Sequence, residues 1–162
     1  MKKKSRGFSL IELLIVVAII LIIAAIAIPN LLRSRMAANE ASAVGSLRSI
    51  NTAEMAYYAT YSSIGFSNLA SLGGSVATCA TATGAASTGA CLIDNVLAGG
   101  TKSGYNFTVT PSGSTPYVQY TSTAYARAQG QSGQRQFCSD QSGVIRANAT
   151  AATCSTTTDN PI

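Results

Sequence analysis

The stretch that decides the fold opens the chain: Lys2-Lys-Lys-Ser-Arg-Gly7, then Phe8-Ser-Leu-Ile-Glu12, then an apolar run to Ile28. From Phe8 to Ile28 all 21 residues are apolar except one serine and Glu12. A helix of that length, rising about 1.5 Å per residue, just crosses a hydrocarbon core of about 30 Å. The stretch therefore predicts a membrane-spanning helix.

The charges around this helix predict its orientation and a functional residue. Lysine and arginine crowd the N-terminal flank, so the positive-inside rule keeps that end cytoplasmic and sends the remainder outward. Glu12 places a carboxylate one turn into the membrane, which costs about 2.5–3.5 kcal/mol at a helix centre and less near an end. Because an acid inside a membrane is a functional hypothesis by default, Glu12 becomes the first candidate site residue.

The same residues resemble the prepilin motif of type IV pilins and the related pseudopilins. Gly7, Phe8, Glu12 and Pro29 stand where the pattern of that family places them, and the resemblance covers about 30 residues. It implies cleavage after Gly7 and N-methylation of Phe8 by a prepilin peptidase and methyltransferase. It also implies a helical filament with the hydrophobic helices at its centre, in which Glu12 pairs with the new amine of a neighbouring subunit.

Two other interpretations of the N-terminus stay open. An ordinary secretory signal also has a basic start and an apolar core, and Ala25-Ile-Ala27 imitates its cleavage site. The apolar run is longer than the usual signal core of about 7–15 residues, however, and Glu12 lies inside it. A plain membrane anchor fits the length but gives Glu12 and the Gly7–Phe8 junction no purpose.

Charge and composition argue against several classes of function. The formal net charge of +5 includes four basic leader residues; without them, seven basic residues face six acidic ones. This balance argues against bulk nucleic-acid binding, and a small patch of Lys102, Arg127, Arg135 and Arg146 leaves DNA binding open but unsupported. The chain has no histidine, the commonest general base, and no close pair of acids. We expect no enzyme activity, no cofactor and no metal site.

The four cysteines, Cys79, Cys91, Cys138 and Cys154, all follow the membrane segment. An even count in an exported domain indicates two disulfides rather than reactive thiols. Of the three connectivities open to four cysteines, we expect the sequence-local one, Cys79 with Cys91 and Cys138 with Cys154. The first bond would pin a long loop, and the second would fasten the tail to the sheet.

The helix is predicted to continue past the membrane to about Tyr61, with Pro29 positioned to kink it. Apolar residues recur on one face at helical spacing: Leu32, Met36, Ala43, Leu47, Ile50, Tyr58 and Tyr61. Polar residues fall on the opposite side: Ser34, Arg48, Ser49 and Thr52. Such an amphipathic half-helix requires something to cover its apolar face.

The remainder of the chain predicts that cover. Short strand-like runs over 105–110, 117–121, 135–138 and 143–146 are separated by turn-forming clusters, which favours an antiparallel meander. The candidate covering side chains are Phe107, Val109, Val118, Tyr120, Phe137 and Ile145. The predicted fold class is therefore α+β, a long N-terminal helix packed on a small antiparallel sheet.

The predicted layout has five segments. They are a leader over 1–7, a transmembrane or filament-core helix over 8–28, its amphipathic continuation over 29–61, a Gly/Ser/Thr-rich αβ-loop over 62–104, and the sheet with its disulfide-tied C-terminal region over 105–162.

With the resemblance, this layout implies a structural subunit of a type IV pilus, serving adhesion, motility or DNA uptake. Its expected partners are further copies, other pilins and an inner-membrane assembly platform. The precursor would span the inner membrane once with its head outside the cytoplasm, and the assembled pilus would stand on the cell surface. A pseudopilin of a type II protein secretion system and a non-polymerising anchored binding domain remain alternatives.

Overall fold

A computed structural model describes residues 8–80, 85–149 and 154–162. The chain forms two compact units, residues 1–35 and 36–162, and helix α1, Leu10–Thr60, contributes to both. We call the second unit the head. The predicted leader, including Gly7, lies outside the described residues. Of the predicted cleavage junction, the structure therefore describes only Phe8.

Helix α1 is one continuous element of 51 residues that contains Pro29. A proline removes one backbone donor and crowds the preceding turn, yet the helix continues past it rather than ending there. The last turn closes where Tyr61 N–H donates to the carbonyl of Tyr57 at 2.8 Å, which matches the predicted end near Tyr61. A kink at Pro29 stays a prediction.

The described part of the head contains one antiparallel sheet whose strands follow each other in sequence order. Every neighbouring pair of strands is antiparallel, so the sheet is a simple meander. The strands are β1 Thr101–Lys102, β2 Tyr105–Ser112, β3 Gln119–Ala126, β4 Gln136–Asp140, β5 Arg146–Asn148 and β6 Asn160–Pro161. The predicted α+β class and the predicted meander are confirmed.

The strand predicted over 143–146 is displaced towards the C-terminus. Gly143 adopts a φ of 73° and donates its N–H to the carbonyl of Asp140 at 2.9 Å, so residues 140–143 form a tight turn. Extended pairing resumes only at Arg146, which begins β5. The tail, for which no regular structure was predicted, adds β6 against β5.

The described part of the Gly/Ser/Thr-rich segment, residues 62–80 and 85–104, contains three single-turn helices and β1. The helices are α2 Leu69–Leu72, α3 Val76–Cys79 and α4 Asn95–Ala98. Asn68 and Asp94 cap α2 and α4, because their side-chain oxygens each accept a backbone N–H at 2.9 Å from the following turn. The prediction of a long surface loop therefore missed local structure that short polar caps stabilise.

The core of the head lies between the 36–60 part of α1 and one face of the sheet. The helix contributes Ala43, Leu47, Ile50, Ala53 and Tyr57, and the sheet side contributes Tyr105, Phe107, Val109, Tyr120, Ala124, Phe137 and Ile145, all buried. Five of the six predicted sheet residues are among them. The amphipathic pattern of the helix and the alternation of the strands thus meet in one apolar layer.

Three residues of the predicted core are exposed. Val118 is 57% exposed because it lies just before β3. Its neighbour Tyr117 bonds through its main chain to Ile64 and Phe66 rather than to another strand of the sheet. Leu32 is 41% exposed because it precedes the first buried residue of the head, Met36. Tyr58 is 36% exposed and Tyr57 is buried in its place, a difference of one residue, or about 100° around the helix.

The two disulfides have the predicted connectivity. Cys79 is bonded to Cys91 and Cys138 to Cys154, with Cα–Cα distances of 5.6 and 5.7 Å. The first bond closes the segment that follows α2, and the second ties the tail to β4. Both therefore fasten segments that contribute few residues to the apolar core.

We expect Gly133→Ala to destabilise the head by about 2 kcal/mol, because the added Cβ would overlap the hydroxyl group of Tyr105. That hydroxyl donates to the carbonyl of Arg135 at 2.8 Å, so it cannot move away without losing the bond. Gly45→Ala is the matched control: its Cβ would meet no atom within 4 Å, and the helix should gain about 1 kcal/mol. Urea unfolding of the full chain in detergent, followed by circular dichroism, measures both; equal midpoints for the two variants would contradict the prediction.

Candidate functional site

The first unit presents an apolar surface that nothing in the described chain covers. Phe8 is 85% exposed, Leu10 is 80% exposed, and the large apolar side chains that follow are each about half exposed or more. Among the described helices, α1 is long and apolar enough to cross a membrane by length and composition. The predicted transmembrane segment therefore keeps its apolar surface free for lipid or for other chains.

Glu12 lies in the first turn of α1 and binds the start of its own helix. Its Oε2 accepts the backbone N–H of Ser9 at 2.9 Å, and the Ser9 carbonyl accepts the N–H of Leu13 at 3.3 Å. An acid three residues after the N-cap that returns to the N-cap N–H is half of a capping box. The carboxylate is also favoured there by the positive end of the helix dipole.

This bond directs the carboxylate of Glu12 towards the N-terminal end of the helix. Phe8 immediately precedes Ser9 at that end, and a cut after Gly7 would make the nitrogen of Phe8 an amine. The structure thus places the Glu12 carboxylate against Ser9, the residue that directly follows Phe8. The other predicted site residues that the structure describes lie away from this end: Pro29 is inside α1, and the four cysteines form the two disulfides.

Comparison with known proteins identifies the same end of the chain. A family model described as the prokaryotic N-terminal methylation motif matches residues 2–28. Over its N-terminal end the chain therefore resembles type IV pilins and the related pseudopilins. No solved structure matches the chain significantly.

Two curated relatives are named as pilins. The chain is 46% identical over 55 residues to the type IV major pilin protein PilA of Myxococcus xanthus; the match covers 34% of this chain and 25% of that protein. It is 60% identical over 38 residues to the type IV wide pilus major component PilA4 of Thermus thermophilus, or 24% of this chain and 29% of that protein. The matches therefore span between a quarter and three-tenths of the relatives' own lengths.

Most of the basic residues considered for DNA binding have bonding partners within the head. Lys102 pairs with Asp94 at 2.9 Å, and Arg135 pairs with the buried Glu40 at 2.8 Å. Arg146 donates to a main-chain carbonyl in the tail at 2.9 Å. Three of the four cations thus have partners in the described part of the head.

Among the described residues, one group of potential metal-ligating side chains comes together in the tail, but its ligand atoms are already bonded. Cys138, Cys154 and Asp159 lie within 4.8 Å of one another. Both sulfurs belong to the second disulfide, and the Asp159 carboxylate accepts bonds from Asn148 and from the N–H of Ser155. The group therefore fixes the tail.

Glu40 holds the segment before β4 against α1, a contact that the sequence analysis missed. Its Oε1 accepts the N–H groups of Gln134 and Arg135 at 2.8 and 3.0 Å, and its Oε2 accepts Nε of Arg135 at 2.8 Å. Burial opposes the charge, but these N–H donors and the guanidinium outweigh it and lower the pKa of Glu40. The sequence did contain a signal for this contact, because Glu40 is an acid that lies between Met36 and Ala43 on the apolar face of the helix.

Asn51 and Glu54 extend this polar row along the same helix. Asn51 donates to the hydroxyl of Ser139 at 2.8 Å and accepts from the hydroxyl of Tyr120 at 3.1 Å. Glu54 is fully buried; its Oε2 accepts the N–H of Ser67 at 3.1 Å, and its Oε1 has no partner among the described residues. Burial raises the pKa of Glu54 to about 7, which the Ser67 N–H only partly offsets.

We expect Glu40→Gln to destabilise the head by about 2 kcal/mol, because the amide nitrogen would face the Nε–H donor of Arg135 and the charge that pairs with its guanidinium would be lost. Asp94→Asn is the matched control. Asparagine still caps α4, and the exposed pair with Lys102 is worth less than about 1 kcal/mol. Urea unfolding at pH 7 compares the two; a larger loss for Asp94→Asn would contradict the assignment.

We expect Glu54 to make the head less stable as the pH rises from about 4.5 to about 7. Its folded pKa of about 7 exceeds the ordinary value of 4.5, so over this interval the folded state keeps a proton that the unfolded state releases. The full effect is at most about 3 kcal/mol. Glu54→Gln should remove it, so the variant should gain on the wild type as the pH rises. A stability difference that stays constant between pH 4.5 and 7.5 would refute this prediction.

Proposed function

We propose that the chain is a structural subunit of a type IV pilus filament that polymerises through the apolar half of α1. The observation that carries this proposal is an uncovered apolar helix with one carboxylate in its first turn, directly after the Gly7–Phe8 junction. The names of the two relatives, a major pilin and a major pilus component, support it.

The precursor would begin as a single-pass protein of the inner membrane. The basic leader keeps the N-terminus cytoplasmic, and the head lies on the other side with its two disulfides. A prepilin peptidase would cut after Gly7 and methylate Phe8. An assembly platform in the inner membrane would then transfer the subunit from lipid to the filament base, and the filament would reach the cell surface.

Glu12 would guide this transfer by pairing charges in an apolar medium. Cleavage leaves an ammonium group on Phe8, and a filament core offers that group almost no water. An isolated ammonium and an isolated carboxylate are each costly there, whereas opposed charges attract strongly at low dielectric. Pairing between Glu12 of one subunit and Phe8 of the next would place incoming subunits in register, while the apolar helices supply the contact area.

Deletion of the gene tests the function, with surface filaments and protein secretion assayed in parallel. We expect filaments to disappear while secretion continues, and purified filaments to contain a chain that begins at a methylated Phe8 by intact-mass analysis. Lost secretion with intact filaments would indicate a pseudopilin. A chain that begins at Ile28 would indicate a secretory signal, and an uncut chain a simple anchor.

We expect Glu12→Gln to be processed and inserted normally but to polymerise at least about tenfold less, because an unpaired buried ammonium is strongly destabilising. Glutamine can still accept the N–H of Ser9, so the helix start is kept while the charge is removed. Glu12→Asp is the control that keeps the charge and should retain part of the assembly. Filament yield per inserted subunit is the measurement, and a normal yield for Glu12→Gln would contradict the pairing mechanism.

A further inference from the structure

Residues 29–35, Pro-Asn-Leu-Leu-Arg-Ser-Arg, lie between the apolar run and the first buried residue of the head. We call this segment the collar. It ends the first unit, and Met36 begins the second. Arg33 and Arg35 are both exposed. The collar therefore holds two cations that belong neither to the membrane-spanning stretch nor to the folded core.

The position of the collar along α1 puts these cations at a defined depth. Arg33 lies five residues and Arg35 seven residues beyond Ile28. At about 1.5 Å per residue they are about 7.5 and 10.5 Å past the end of the apolar run. The headgroup layer on each side of a bilayer is about 5–8 Å thick, and arginine side chains can extend back towards it. Both guanidinium groups can thus reach the phosphate level of the outer leaflet.

No acid in the described chain is available to these two arginines. The ion pairs among the described residues are Lys102–Asp94 and Arg135–Glu40. Glu40, the nearest acid along α1, has both oxygens bonded to Gln134 and Arg135. Glu12 lies 21 residues before Arg33, about 30 Å along the helix. An anionic partner of the collar would therefore have to come from outside the described residues.

Removal of the leader makes the collar the main cationic feature near the membrane. The four basic residues before Phe8 would leave with the leader. Between residues 8 and 39 the remaining charged side chains are Glu12, Arg33 and Arg35. The positive charge that flanks the membrane-spanning stretch thus shifts from its cytoplasmic side to its outer side, apart from the new amine of Phe8.

We propose that Arg33 and Arg35 bind the phosphates of anionic phospholipids in the outer leaflet and fix the depth of the subunit before assembly. This inference rests on the proposed function for the orientation of the chain. A guanidinium group matches phosphate oxygens through two parallel hydrogen bonds, which suits arginine better than lysine. Two residues apart on a helix, the side chains point about 200° from each other, so they bind lipids on opposite sides.

The test measures lipid selectivity of the full chain in sealed vesicles. Spin-labelled phosphatidylglycerol or phosphatidylcholine is added to the outer leaflet, and electron paramagnetic resonance gives the fraction of each that the protein immobilises. Protease digestion first establishes that the heads face outward and that the helix spans the bilayer. With the basic leader facing the lumen, the outer-leaflet signal reports the collar.

We expect wild type to prefer phosphatidylglycerol about fivefold, from an attraction of about 1 kcal/mol per basic residue near an anionic surface. Arg33→Gln with Arg35→Gln should reduce the preference to near unity without changing the unfolding midpoint of the head. Arg48→Gln, an exposed arginine further along α1, is the matched control and should keep the wild-type value.

Three outcomes would overturn the proposal: no preference in wild type, an unchanged preference in the double variant, or an equal loss with Arg48→Gln. The last result would mean a diffuse attraction of the whole head. If the chain spans the bilayer but shows no lipid preference, the lipid proposal is wrong and the proposed function still stands. If the chain does not span the bilayer, both the lipid proposal and the proposed function are wrong.

Discussion

Helix α1 has a first half whose apolar side chains are exposed and a second half that packs against the sheet of the head. The arrangement of the rest of the chain depends on this difference. The apolar half of α1 exposes large side chains on all sides, so only lipid or other apolar helices can cover it. The second half has an apolar face that the head covers with one side of a six-stranded sheet. The helix changes from exposed to partly buried at the end of the collar, where Met36, the first buried residue among those described, directly follows Arg35.

Polar contacts fix which residues of α1 meet which parts of the head. Apolar packing alone would tolerate small shifts along the helix, whereas Glu40, Asn51 and Glu54 each require a specific donor or acceptor. Glu40 is well satisfied and remains charged, while Glu54 keeps one oxygen unpaired and favours its proton. The pKa values of these two acids therefore shift in opposite directions, because burial dominates at Glu54, whereas two backbone N–H groups and the guanidinium of Arg135 outweigh burial at Glu40.

Sequence patterns predicted the elements better than their details. Hydrophobic periodicity gave α1 and the buried faces of β2, β3 and β4, because burial of a whole face imposes a period on the chain. It misplaced Tyr58 by one residue, which on a helix is enough to move a side chain out of the core. It could not find the role of Glu40, whose donors lie 94 and 95 residues away and are mostly backbone N–H groups that no side-chain pattern encodes. For Glu12, the structure adds the bond to Ser9, while its partner in assembly stays a prediction.

The two edges of the sheet have a consequence for the proposed filament, in which each head would be crowded against copies of itself. An outer strand with free N–H and C=O groups invites another sheet to add to it, which leads to uncontrolled aggregation. Here β1 and β6 are each two residues long, and β6 contains Pro161, which has no N–H to donate. Neighbouring heads therefore find almost no strand to extend, and association is left to surfaces that can form and separate without exchanging backbone hydrogen bonds. In the proposed filament, each head would therefore keep its own sheet separate from those of its neighbours.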